Sequence, residues 1–172
     1  KDSGYGIDSY TEGHIPNSIF VDVDTDLASE KRPGTGRHPL PDPDRFSEKL
    51  SHWGMSNNKQ VVVYDDAGGA FAGRLWWMLK WLGHEAVAVL DGGLNSWVKG
   101  GNKLVTTPTV FEKAHFEPRV QENMIATVED VEEAQFKMNT ILLDARSKER
   151  YQGINDPVDP ISGHVPGAIS HP

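Results

Sequence analysis

The 172 residues carry 17 Lys and Arg against 25 Asp and Glu, a formal charge of −8 at pH 7, with 37% hydrophobic and 24% charged residues. This is the balance of a packed globular chain, and its negative sign, without a basic cluster, argues against a nucleic-acid partner. Zero cysteines exclude a disulfide framework, a thiolate metal site and a cysteine nucleophile within these residues, and no apolar run approaches the roughly 20 residues of a membrane span.

The length exceeds one typical domain, so one complete core and part of a second are expected. Lys1-Asp2-Ser3-Gly4-Tyr5 holds no apolar signal region, and a cytoplasmic location is the expectation. After a Pro-rich approach, Phe46, Leu50 and Trp53 recur at helical spacing and predict a helix over 42–53. Val61-Val62-Val63-Tyr64 reads as a buried strand ending in the loop Asp65-Asp66-Ala67-Gly68-Gly69. A helix carrying Phe71, Leu75, Met78, Leu79 and Leu82 follows, with Gly83 as its stop. Ala86 to Leu90 reads as a second buried strand, and Asp91-Gly92-Gly93 as a turn into a short helix with Leu94 and Trp97. Strand, helix, strand predicts a parallel crossover. Residues 101–123 mix Pro, Thr and charges without a period and read as a linker. Thr127 as N-cap with Asp130 at the third helical position opens a helix through Val131, Ala134 and Met138, and Ile141-Leu142-Leu143-Asp144 reads as a further strand.

Gly13-His14-Ile15-Pro16-Asn17-Ser18-Ile19 returns 150 residues later as Gly163-His164-Val165-Pro166-Gly167-Ala168-Ile169. A period of domain size suggests internal duplication. A strand precedes the second copy and none precedes the first; three residues follow the second copy, so residues are expected to be missing at both ends.

In open parallel sheets, ligands gather beyond the carboxyl ends of the strands. Two loops qualify. The glycine-rich loop from Asp65 to Gly73 lies upstream of a helix whose amides suit an anion, but Asp65 and Asp66 would repel one, so a structural loop is the preferred reading. It has no Gly-Lys-Ser/Thr and no dinucleotide glycine spacing. The second loop, Asp144-Ala145-Arg146-Ser147-Lys148-Glu149-Arg150, holds three cations suited to an anionic ligand, or is a solvated turn with Asp144 and Arg146 paired.

Together these motifs resemble the two-domain rhodanese family, the thiosulfate and 3-mercaptopyruvate sulfurtransferases. Glu12 to Asp22, Val61 to Asp65, Arg74 to Leu79 and Leu90 to Trp97 are similar to its N-terminal domain, and Asp144 to Gly153 with Gly163 to Ala168 to the opening of its catalytic domain. The resemblance implies an α/β fold with a mostly parallel sheet flanked by helices on both faces, in tandem: residues 1–100 as an inactive-type first domain, 101–123 as linker, and 124–172 as a truncated second domain. It implies transfer of a sulfane sulfur to cyanide or another thiophile through a cysteine persulfide, which this fragment cannot form alone. Asp65 falls where an active domain has its cysteine. Arg150 matches the arginine that contacts the anionic donor, while Asp144 and Arg146 match framework positions. His14 and His164 are equivalents of each other, too far apart in the repeat to share a metal, and are expected to satisfy local backbone groups. No metal and no cofactor are expected. The expected partners are a small anionic sulfur donor and a companion fragment carrying the rest of the second domain. A non-catalytic rhodanese-like binding module is the alternative, and a phosphatase of the same fold a weaker one; Cys-x-x-Gly-x-x or Asp after the next strand would separate the first two.

Overall fold

The computed structural model describes residues 4–154, 156, 159 and 161–172. They divide into two compact units, Lys1–Glu122 and Asn123–Pro172. Among the described residues, no helix is long and apolar enough to cross a membrane.

In the first unit, helix α1 (Tyr5–Glu12) precedes the Gly13-His14 motif, over a stretch that carries no helical periodicity. Helix α2 (Pro43–His52) starts where the Asp42 carboxylate accepts the Asp44 and Arg45 N–H groups, with Pro43 in the first turn. Its inner face buries Phe46 and Leu50. Strands β1 (Val61–Val63) and β2 (Val87–Val89) pair in parallel, Val61 opposite Val87 and Val63 opposite Val89. Helix α3 (Ala72–Trp81) connects them and packs on both. The turn after it is closed by Gly83, at a φ of +76°; a Cβ there would stand 2.7 Å from the Arg119 carbonyl oxygen, which leaves room only for glycine. Helix α4 (Gly93–Lys99) follows β2.

Two expectations change in this unit. The valine strands are less buried than expected: Val63 is buried, whereas Val62 on the opposite face is 55% exposed and Val89, in register with Val63, is also open. Phe71 stands outside α3 and is exposed, so the core side of that helix is Met78, Leu79 and Trp81, continued by Leu82. Trp76 lies at the surface, while Trp81 is buried and stacks on Trp77.

Most of the stretch read as a linker is a strap laid along the first unit. His14 and Val105 form an antiparallel bridge. The Ala114 N–H donates to the Ser51 carbonyl at 2.9 Å, the Arg119 N–H to Leu82 at 2.8 Å and the Gln121 N–H to Trp81 at 2.8 Å. Phe116 is buried against His84, and its N–H donates to the Ser51 hydroxyl. An extended strap needs one anchoring side chain rather than a period, which is why its composition resembles a connector. Phe116→Ala should therefore lower stability by about 3–5 kcal/mol in urea unfolding; a loss below about 1 kcal/mol would show that the strap is peripheral.

In the second unit, helix α5 (Val128–Ala134) begins in a capping box, with Thr127 accepting the Asp130 N–H and Asp130 accepting that of Thr127. It ends at Ala134, short of the expected reach to Met138, which is fully exposed. Strand β3 (Leu143–Asp144) pairs in parallel with β4 (Ile169–Ser170), and helix α6 (Lys148–Gln152), capped by Ser147, lies between them in the chain. The strand expected over 141–144 is thus confined to its last two residues.

Candidate functional site

At the carboxyl end of β1 the chain wraps around Asp65. One carboxylate oxygen accepts the Ala67 and Gly69 N–H groups at 3.0 and 2.8 Å; the other accepts those of Phe71 and Ala72 at 2.8 and 2.9 Å. Gly68 and Gly69, at φ +70° and +92°, bend the loop so that these amides converge. Burial pushes the Asp65 carboxyl up, but the four donors outweigh it and hold its pKa below the ordinary 3.8. Gly93 permits the fit from the far side: a Cβ there would meet the Asp65 carbonyl at 2.3 Å, and the Leu94 N–H donates to that same carbonyl. The expected repulsion between Asp65 and an anion-attracting loop is resolved locally, because Asp65 is itself the anion the amides hold. Asp66 turns away to a hydrogen bond from the Tyr5 hydroxyl.

The second unit gathers its charges at the end of β3. Arg146 donates Nε to Asp144 Oδ1 at 2.9 Å and one terminal nitrogen to Asp144 Oδ2 at 2.6 Å, and that nitrogen also reaches the Gly163 carbonyl at 2.6 Å. This hydrogen-bonded pairing draws the Asp144 carboxyl down to about 2 and holds Arg146 still more firmly protonated. Arg150 donates Nε to Asp156 at 3.1 Å and a terminal nitrogen to Asp159 at 2.5 Å, and Arg146 approaches the same two carboxylates at 3.5 and 3.4 Å. An open pocket of about 560 Å³ beside them is lined by Asp144, Arg146, Asp159 and the apolar Leu142, Ile161 and Val165 among others. Arg150 is not among its lining residues; Asp159 stands between the two. Asp156 and Asp159 carry no motif that would single them out in the sequence, although no Lys or Arg occurs after Arg150 while both aspartates do.

His14, which is buried, and His164, which is exposed, make matching contacts to a tyrosine. The His14 ring stacks on Tyr10 at 3.8 Å and its Nδ1–H donates to the Tyr10 carbonyl at 2.8 Å; His164 stacks on Tyr151 at 3.7 Å and donates likewise to the Tyr151 carbonyl at 2.8 Å. The Tyr10 hydroxyl donates to the Ser18 carbonyl and that of Tyr151 to the Ala168 carbonyl, each at 2.9 Å. Ser18 and Ala168 are 150 positions apart, the same offset as the two histidines. Both tyrosines lie outside the repeated motif, so its spacing does not point to them. Among the described residues, no three His, Cys, Asp or Glu side chains are grouped to hold a metal.

The Rhodanese-like domain family matches residues 6–100, more than half of the chain. The chain belongs to the rhodanese family. A protein of Pseudomonas aeruginosa named "Probable 3-mercaptopyruvate sulfurtransferase" is 41% identical over 170 residues, covering 98% of this chain and 60% of that protein. The thiosulfate sulfurtransferase of Rattus norvegicus is 34% identical over 170 residues, covering 95% and 56%. Of solved structures, SseA from Escherichia coli, described with the 3-mercaptopyruvate sulfotransferases, superposes at a TM-score of 0.83 with 30% identity, covering 94% of this chain and 60% of that one. The 3-mercaptopyruvate sulfurtransferase of Leishmania major gives 0.82 with 30% identity, covering 99% and 47%. This rhodanese chain therefore spans about 60% or less of the length of these relatives, and its fold is theirs.

Proposed function

We propose that the whole protein is a sulfurtransferase built from two rhodanese repeats, of which residues 1–100 form an inactive first repeat, 101–123 the connection and 124–172 the opening of the catalytic one. In the reaction, a cysteine thiolate supplied outside these residues attacks the sulfane sulfur of thiosulfate, the S–S bond breaks, sulfite leaves and a persulfide remains. Cyanide then takes the outer sulfur as thiocyanate and restores the thiolate. With 3-mercaptopyruvate the C–S bond breaks instead, and pyruvate leaves. The observation that carries this reading is the ring of four amides on Asp65 at a strand end, an environment that stabilises an anion and would depress a thiol pKa if cysteine stood there. Its support for duplication is the pair of Tyr-His stacks, in which the histidines and the acceptors of the tyrosine hydroxyls recur at an offset of 150. Arg150 is assigned to the donor's anionic group; Asp144, Arg146 and His164 hold backbone within its own unit, and His14 does so within the first unit.

The test is thiocyanate production from cyanide with either donor, using the full-length protein. Arg150→Met should raise KM for both donors at least tenfold, the loss of one charge-assisted contact to an anion. A second reading is a binding module without turnover, favoured by the internal carboxylates that already occupy both arginines. Absence of thiocyanate with both donors would select it.

A further inference from the structure

We infer that the loop from Leu27 to Leu40 in the first unit is a docking surface for a partner protein, gripping an acidic polypeptide segment through Lys31, Arg32 and Arg37. It does not rest on the sulfur chemistry. Residues 27–41 hold these three cations and one acid, Glu30, a net of +2, whereas the other residues of 1–122 hold ten Lys and Arg against sixteen Asp and Glu, a net of −6. A small positive island stands in an acidic surround.

The loop is fixed at both ends without burying itself. At its neck the Ser29 N–H donates to the Pro39 carbonyl at 3.0 Å, and one terminal nitrogen of Arg74 donates to the Leu27 carbonyl at 2.7 Å and to the His38 carbonyl at 3.0 Å. At its tip Pro33 and Gly34 form the centre of a turn, in which the Thr35 N–H donates to the Arg32 carbonyl and the Arg32 N–H to the Thr35 hydroxyl, each at 3.0 Å. Gly34, at a φ of +87°, supplies the left-handed position that such a Pro-Gly turn requires. Yet residues 29–37 are all exposed. Packing does not account for that order, and a loop already held in one conformation loses less entropy when a partner binds it.

Arg74 lies in the first turn of α3, whose Ala72 N–H also closes the ring on Asp65, so the neck sits beside the carboxyl end of β1. Ligands of open parallel sheets gather at that edge, but here its amides are taken by Asp65. The loop's charge is what remains for a partner. An exposed ion pair adds only about twofold in affinity, so a single small anion gains little, while several carboxylates engaged together gain about tenfold. An extended polyanion, whether nucleic acid or anionic bilayer, carries charge well past the roughly 8 Å over which charges act at physiological salt, and so meets the acidic surround as well. A short acidic stretch of a protein meets the loop alone.

The test is the fluorescence anisotropy of labelled octaglutamate titrated with the full-length protein at about 0.15 M salt. Wild type is compared with Lys31→Gln/Arg32→Gln/Arg37→Gln and with Lys99→Gln/Lys103→Gln/Lys113→Gln, which removes the same number of charges from exposed lysines elsewhere in the unit. The loop variant should bind about tenfold more weakly and the lysine variant within about twofold of wild type. Equal losses in the two variants, or no binding of octaglutamate to wild type, would overturn the docking surface. Single-stranded DNA or phosphatidylserine vesicles held through the loop more tightly than octaglutamate would overturn the choice of a protein partner.

Discussion

Asp65→Ala is expected to destabilise the first unit by about 2–4 kcal/mol in urea unfolding, although it deletes only a carboxylate and adds no bulk. The size follows from what is left behind: four backbone N–H groups, of Ala67, Gly69, Phe71 and Ala72, lose a charged acceptor at once. Water reaches part of the loop, which keeps the loss below four full desolvation penalties. Asp65→Asn should do little better, since its amide NH₂ turns a donor toward two of the N–H groups that need an acceptor. Sulfate should recover part of the lost stability in the alanine variant and none in the wild type, because only the variant has an empty ring of amides. The pH dependence has a definite sign. Since the folded carboxyl has a pKa below the ordinary 3.8, its contribution is fully present above about pH 4 and is lost as pH falls through the folded value. The asparagine variant should lack that acid-side loss. A variant within about 0.5 kcal/mol of wild type would mean that the loop holds itself without its central anion.

That result bears on what the sequence could reveal. Strand β1, helix α3 and strand β2 are legible because valines and an apolar period of three and four mark them, and the cap at Thr127 because its partner lies three residues on. The role of Asp65 is not, since a carboxylate in a glycine-rich loop reads as repulsive until the backbone is seen to close around it. Helix α1 escapes detection because Tyr5 to Glu12 buries no side chain and so has no apolar stripe. Exposure of Val62 and Val89 is invisible for a different reason: burial depends on the neighbours a strand acquires, and a β-branched run looks the same with or without them. At the second loop the motif points to Arg146, Arg150 and Asp144 but not to Asp156 and Asp159, whose contacts with the two arginines follow no helical or strand spacing.

Hydrogen exchange should separate the two units of the 172-residue chain by several orders of magnitude. Amides of α3 and of the β1–β2 pair, set over Met78, Leu79, Leu82 and Phe46, should be protected by 10³-fold or more, about the protection that 4 kcal/mol of opening free energy provides. Those of residues 123–172 should exchange near the rate of an unfolded chain. Among the described residues of that unit Ala168 alone is a buried apolar side chain, while Val128, Phe136, Met138, Ile141, Ile154 and Ile161 are each at least 70% exposed. A segment of this size, with no cysteine for a disulfide and with strands of two residues, lacks the apolar burial to offset its chain entropy. The capping box at Thr127 and the part-buried Asp144–Arg146 pair orient local structure through polar contacts and do not supply that apolar burial. These apolar side chains need a cover, and the proposed remainder of the catalytic repeat is its natural source: in the full-length protein the amides of β3 and β4 should become protected together with those of the cover. Strong protection of residues 123–172 in the 172-residue chain would refute this and show that the unit folds on its own.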